Sequence, residues 1–262
     1  MRNVRLERYD ALPVDVLPIG TDYPPDHLLA HHAHRRAQLL YGATGIMQVE
    51  TLDGSWTIPT NRAVLIPPQT SHQVRMRDVT TWSLYIEPSA VPWWPASCTV
   101  IEVEPLLREL LREANGFDAG YDASGRDGAV VQLILQELQR VTPVPLSVSL
   151  PRAEPFRSLC TEYLGRPDVA LTNVDWARAA MMSTRNFDRR FREATGMSPS
   201  MWRTRARLLA SITLLRRMPV AQVAGDLGYA SPASFTAAFT RTFGAPPSSF
   251  HERRTPRSQT HG

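Results

Sequence analysis

Two groups of residues in this chain have types and spacings that could do chemistry. The first is rich in imidazole: His31-His32-Ala33-His34, then Gln38, then His72 after the run Pro67-Pro68-Gln69-Thr70-Ser71. If the first stretch is a strand, positions 32, 34 and 38 share a face, because side chains alternate. Three imidazoles and an amide could hold a divalent ion such as zinc or nickel. They could equally form a polar pocket for an organic effector, or a metal-free cluster of hydrogen-bonded histidines. Trp56, Trp82 and Tyr85 are candidates for lining such a pocket, with ordinary core packing as the alternative. The second group is cationic. Arg185 and Arg189 stand four residues apart, so on a helix they share one face and their two guanidinium forks could pair with guanines together. The alternative for each is a solvated or phosphate-bound arginine.

The elements that must position these groups divide the chain. Its 262 residues favour about two domains, and 43% apolar content excludes full disorder. No apolar run approaches the ~20 residues of a membrane span, and no apolar stretch follows the charged N-terminus, so no membrane partner and a cytoplasmic location are expected. Cys98 and Cys160 lack zinc or redox spacing and read as ordinary thiols. Residues 1–95 show short extended runs with turn signals, including Gln38 to Thr51 and Trp56 to Val64 flanking Asp53-Gly54, which predicts an antiparallel barrel or sandwich. From Glu104 the period becomes helical. Leu106, Leu107, Leu110 and Leu111 form one stripe and Val130, Val131, Ile134, Leu135 and Leu138 a second, either to cover the barrel or to make a dimer seam. Residues 142–155 contain four prolines and little periodicity, which predicts an interdomain linker.

Charge follows the same division. Residues 1–150 carry 12 arginines against 17 acids, a net of −5, whereas residues 151–262 carry 17 against 8, a net of +9. The basic half also repeats with a period of 48: Ser183 matches Ser231, Phe187 matches Phe235, Phe191 matches Phe239, Gly196 matches Gly244, Pro199 matches Pro247, and Trp202 matches Phe250. Each copy reads as a short helix, a turn, and a second helix capped by Ser183 or Ser231 and anchored by its phenylalanine pair, which describes a helix-turn-helix. Gly228 is expected to end the first helix of the second copy in a left-handed conformation. A longer helix from Met201 to about Met218 joins the copies and would hold the two reading heads about 34 Å apart on one DNA face.

The residues Val174-Asp175-Trp176-Ala177, Met182-Ser183, Phe191-Arg192-Glu193-Ala194-Thr195-Gly196-Met197-Ser198-Pro199, Val223-Ala224-Gly225-Asp226-Leu227-Gly228-Tyr229, Ser231-Pro232 and Phe243-Gly244-Ala245-Pro246-Pro247 resemble the double helix-turn-helix domain of AraC/XylS-type bacterial transcription regulators. The resemblance covers about residues 155–252. It implies that Arg185 and Arg189 fall at base-reading positions; Ser183, Thr184 and Arg192 are further candidates for DNA contact. At the corresponding second-head positions stand Pro232, Ala233 and Ala237, leaving Ser234 as the one side chain able to hydrogen-bond a base edge. Sequence information should therefore be concentrated under the first head. Arg203, Arg205, Arg241 and the helix start at Ser231 are expected on phosphates.

The histidine segment likewise looks like a cupin barrel's metal pattern, with Gln38 where a Glu is usual and Gln69 where a Gly is usual. The expected fold is α+β and multidomain: a cupin-like antiparallel β-barrel sensor (1–95), a helical connector that could dimerise (96–141), a linker (142–155), an all-α double helix-turn-helix domain (156–254) and a flexible tail (255–262). The expected function is a transcription regulator controlled by a small-molecule or metal effector. Its expected partners are a double-stranded DNA operator, a second copy of itself and, if it activates, RNA polymerase. The alternative is a cupin metalloenzyme fused to a DNA-binding domain, against which Gln38 argues by leaving the two-histidine, one-carboxylate triad incomplete. Purely architectural DNA binding is a third possibility, disfavoured by a barrel that fills about half the chain without structural need.

Overall fold

A computed structural model describes residues 1–250, so the expected tail at 255–262 lies outside the described residues. The N-terminal half is a pair of facing five-stranded antiparallel sheets. One contains β1 (Val16–Asp22), β3 (Ala37–Gly42), β6 (Arg62–Ile66), β8 (Thr80–Ile86) and β9 (Thr99–Glu102), in the order β1-β8-β3-β6-β9. The other contains β2 (His27–His32), β4 (Ile46–Thr51), β5 (Gly54–Pro59), β7 (His72–Arg77) and β10 (Ser147–Ser149), in the order β10-β5-β4-β7-β2. The extended run from Gln38 to Thr51 is thus two strands, broken at Gly45. Its φ is +75°, and an added Cβ would lie 2.4 Å from the carbonyl oxygens of Arg77 and Asp78, so only glycine fits.

Strand alternation explains the helices that follow. Leu40, Val64 and Ile66 join Met47, Val49, Ile58, Val74 and Met76 in one core. Their neighbours Leu39, Tyr41, Ala63, Leu65, Leu84 and Ile86 belong to a second core, on the outer face of the first sheet. A sheet apolar on both faces needs a cover, and α1 (Pro105–Ala114) and α2 (Arg126–Leu138) supply it through Leu107, Leu111, Val131, Ile134, Leu135 and Leu138. These stripes are therefore a lid on the sheet, while Leu106 and Leu133 face outward, 50% and 37% exposed.

Residues 142–155 are not a free linker. Their prolines hold the chain extended, and β10 lies along β5 with Val148 buried. The segment also binds the C-terminal domain. The Trp202 indole donates to the Ser149 carbonyl at 2.7 Å, the Ser149 hydroxyl donates to the Thr195 carbonyl at 3.0 Å, and the Arg205 guanidinium donates to the Ser147 and Pro145 carbonyls, each at 2.6 Å. The first core consequently runs without a break from the barrel into the C-terminal helices.

Those helices are α3 (Phe156–Gly165), α4 (Asn173–Ala179), α5 (Thr184–Thr195), α6 (Pro199–Leu215), α7 (Val220–Asp226) and α8 (Pro232–Phe243). α4 and α7 are each seven residues long and α5 and α8 each twelve. α8 begins 48 residues after α5, but α7 begins only 47 after α4, so the second unit's turn is one residue longer. Gly228 makes that turn at φ +72°; in the first unit Met181 adopts φ +53° and is 94% exposed.

Candidate functional site

α5 is anchored along one face and open along the other. Ser183 caps it by accepting from the Asn186 amide, and Phe187 and Phe191, fully buried, stack with ring centroids 5.6 Å apart against Trp176 and Trp202. That fixes the opposite side outward: Arg185, Arg189 and Arg192 are exposed and Thr184 is half-exposed. Arg189 is not idle. Its guanidinium pairs with Glu193 at 2.8 Å and donates to the Asn186 side chain at 3.0 Å. Arg185 has no hydrogen bond or ion pair among the described residues.

The second head is chemically bare. Ala237 and Ala233 are exposed, as is Arg241 in the last turn. Ser234 is occupied: its hydroxyl accepts from the Ser231 amide at 3.2 Å and donates to the Ser231 carbonyl at 2.8 Å, while the Ser231 hydroxyl accepts from the Ser234 amide at 3.1 Å. This capping box uses the side chain expected to read a base.

Two expected phosphate contacts are corrected. Arg203 is buried, donates to the Asn173 side chain at 2.7 Å and lies over the Trp176 ring at 4.8 Å. It ties α6 to α4. Arg205 is spent on the β10 segment, as above. Periodicity placed both on α6, but which side of α6 meets neighbouring elements is set by the docking of the two domains.

The histidines do converge, though not on one strand. His32 ends β2, His34 lies in the connection to β3, Gln38 is in β3, and His72 opens β7 directly opposite His32 and Thr51. The Gln69 amide donates to the His34 carbonyl at 2.8 Å and pins the 67–71 loop beside the cluster. Gln69 itself has φ +56°, which accounts physically for the glycine usual at that place. Each ring is oriented by a main-chain carbonyl: Nδ1 of His32 meets Ala30 at 2.9 Å, Nδ1 of His34 meets Arg36 at 2.6 Å, and Nδ1 of His72 meets Thr70 at 2.8 Å. A carbonyl only accepts, so Nδ1 carries the proton in all three and Nε2 presents a lone pair.

One potential ligand atom from each histidine lies within 4.8 Å of the others, and the buried Nε2 of His72 has no hydrogen-bond partner among the described residues. Burial holds the His72 imidazole neutral, pulling its pKa down to about 4, and lowers that of His34 as well. Gln38 is buried with Oε1 3.1 Å from Nε2 of His34. Two acceptors at that separation need a cation between them, or the amide turned end for end so that its NH2 donates. An orphaned buried nitrogen and three convergent imidazoles fit a borderline-soft divalent ion.

Tyr85 packs edge-on against His34, ring centroids 5.1 Å apart, and burial pushes its phenol pKa up. Trp56 belongs to the inner core and lines a cavity of about 340 Å³ with Thr51 and Thr70. Trp82 does not join them. It packs on Tyr41 at 5.5 Å in the outer core under the helices, because in β8 it alternates with Tyr85. Cys98 and Cys160 are buried, which raises both thiol pKa values, that of Cys98 to about 12. The carbonyls of Ala30, Arg36 and Thr70 are the part of the site that composition could not reveal.

Comparison with known proteins agrees with this division. Residues 14–140 match the AraC-like ligand binding domain and residues 176–253 match a helix-turn-helix domain. The chain is 27% identical over 227 residues to the HTH-type transcriptional regulator NimR of Escherichia coli (strain K12), covering 86% of this chain and 82% of that one. It is similar to the structure of wild-type ToxT from Vibrio cholerae bound to unsaturated fatty acid, at 13% identity and TM-score 0.38, covering 90% of this chain and 94% of that one. It is also similar to the DNA-binding domain of AdpA in complex with a target DNA, at 32% identity and TM-score 0.34, covering 37% of this chain and 90% of that one. Among the described residues no helix is long and apolar enough to cross a membrane.

Proposed function

Because the chain belongs to the AraC family of transcription regulators, with an N-terminal ligand-binding domain and a C-terminal DNA-binding helix-turn-helix domain, we propose that its effector is a divalent transition-metal ion held by His32, His34 and His72. The observation that carries this reading is the shared orientation of the three rings, each with Nδ1 tied to a carbonyl and Nε2 free to converge. Gln38 stands beside His34 as an oxygen donor. Such an ion would supply a Lewis-acidic cross-link between the end of β2, the connection after it and the start of β7. Among the described residues the cluster includes no carboxylate, which suits sensing rather than catalysis, and a DNA-binding regulator of this kind would act in the cytoplasm. Its second partner is an operator read chiefly by Arg185 and Arg189; the exposed Leu106 and Leu133 suit a homodimer contact.

Equilibrium dialysis of the full chain against Zn²⁺ or Ni²⁺ tests the site. One ion per chain is expected, with affinity reduced about tenfold or more in His34→Ala and in His72→Ala. Wild-type protein that retains neither ion, or binding that survives both substitutions, overturns the assignment.

A further inference from the structure

The two reading heads share a frame and differ in chemistry. The 48-residue repeat sets Ala233 and Ala237 of α8 where α5 carries Arg185 and Arg189, and all four side chains are exposed. Behind the alanines Phe235 and Phe239 are fully buried, with ring centroids 5.6 Å apart, as Phe187 and Phe191 are in α5. The alanines therefore stand on the side of α8 that meets a groove when α5 occupies its own. Little polar capacity is left beside them. Pro232 has no amide hydrogen, and the Ser234 hydroxyl is held between the amide and the carbonyl of Ser231. Thr236 takes the place of Asp188, on the side of the helix that in the first unit bonds Asn173 of α4. Thr240 comes only in the last turn of α8, whereas the N-terminal residues of such a helix reach base edges. Electrostatics does not compensate. Residues 219–250 carry one acid, Asp226, and one base, Arg241, against four arginines and two acids on α5 alone.

An alanine has only a methyl group to offer, and its complement on a base edge is another methyl group. Among the four ordinary bases only thymine presents one in the major groove, on C5. We infer that α8 reads the 5-methyl groups of pyrimidines through Ala233 and Ala237, so that the second half-site is selected for thymine by apolar contact rather than by hydrogen bonds. On a helix, Cβ atoms four residues apart are separated by about 5–6 Å, against about 3.4 Å between successive bases of one strand. The two alanines thus span one to two base steps and can meet two methyl groups at once. 5-Methylcytosine carries the same group at the same position, so cytosine methylation in this half-site raises affinity. The inference rests on DNA binding by the second unit, and neither on the histidine cluster nor on the arginines of the first unit.

Deoxyuridine tests this directly, because it keeps every hydrogen-bonding group of thymidine and lacks only the 5-methyl group. With full-length protein and an operator selected from a random DNA pool, each thymidine is replaced in turn and affinity is measured by fluorescence anisotropy at fixed salt. One or two replacements should weaken wild-type binding about three- to fourfold each, the contribution of one buried methyl group. Each such penalty should disappear in Ala233→Gly or in Ala237→Gly. At the same positions 5-methyldeoxycytidine should bind about threefold or more tighter than deoxycytidine. Equal affinity for thymidine and deoxyuridine throughout the operator overturns the inference. So does a penalty that survives both glycine substitutions, which is the signature of DNA deformability rather than contact. The scan of wild-type protein tests neither Arg185 nor the histidines, so its failure would leave those assignments standing.

Discussion

The most exposed consequence of the structure is unequal reading by the two helix-turn-helix units. Arg185 has no partner among the described residues, whereas Arg189 must give up an exposed ion pair with Glu193 before it can reach a base. A bidentate contact to guanine gives about 1–3 kcal/mol of discrimination, or about 5- to 150-fold in affinity. An exposed pair of the Arg189–Glu193 kind returns about 0.2–1 kcal/mol to the free state. Arg185→Ala should therefore lower affinity for the selected operator by about 5- to 150-fold, and Arg189→Ala by a factor up to about five less. The assay is fluorescence anisotropy on operators selected from a random DNA pool, repeated with each guanine of the first half-site replaced and across a salt series. For a base reader, the loss should vanish on the operator that lacks its guanine. In the second head, Ser234→Ala should leave base discrimination unchanged, because its hydroxyl is committed to Ser231. Two results would refute the reasoning. One is a loss uniform across sequences with the salt slope reduced by about 0.9 per arginine, the signature of phosphate contact. The other is greater discrimination lost at the second half-site than at the first.

Three further outcomes follow from the geometry. Arg203→Ala removes a hydrogen bond to Asn173 and a stacking contact on Trp176, and should lower stability by about 2–4 kcal/mol in denaturant unfolding while leaving the salt slope of DNA binding unaltered. In metal-free protein, the unfolded chain takes up a proton at His72 near its ordinary pKa of 6.5, while the folded state resists until about 4. Stability should fall as pH drops through that window, by about 3 kcal/mol, and a flat profile in wild-type protein, or no flattening in His72→Gln, would contradict it. Gln38→Glu places a negative charge beside the three imidazoles and should tighten metal binding in dialysis by about tenfold or more, while destabilising the metal-free form in thermal unfolding.

Much of the DNA-binding half is legible in the sequence because its information is local. The capping serines, the i,i+4 phenylalanines and the glycine after α7 each fix a feature within a few residues of themselves. The committed state of Ser234 is partly local too, since Ser-x-x-Ser at a helix start can form a reciprocal cap. Parity alone separates Trp82 from Tyr85, three apart on one strand. The rest depends on contacts distant in sequence. Arg203 and Arg205 look like any other basic residues on a helix until α4 and β10 are placed against them. The segment 142–155 resembles a linker by composition, yet its carbonyls face donors on α6 more than fifty residues away. Likewise, the histidine cluster needs the end of β2, a connection and the start of β7, and no strand pattern across 31–38 describes that arrangement.

One strand connects the two halves of the regulatory problem. β7 carries His72, Val74 and Met76 toward the inner core and Arg75 and Arg77 toward a cavity under the DNA-binding domain, because consecutive side chains point to opposite faces. Its neighbours β4 and β5 lead to β10, whose carbonyls hold α6, and α6 is the rod between the two reading heads. A movement of the β7 end therefore need not travel through flexible chain to be felt by α6; the path is hydrogen-bonded sheet and packed side chains throughout. The cost of that arrangement is rigidity. A sensor welded to its reader at β10 favours one spacing and tilt of α5 and α8, and an effector can change DNA binding only by its different affinity for the docked and undocked arrangements. The exposed Arg217–Asp78 pair, 2.7 Å long and well away from β10 in sequence, is a weak second clasp between the domains. Domain movement should hence pivot at β10, where the contacts are several, partly buried and directional, and open at the Arg217 end, beside which the cavity lies.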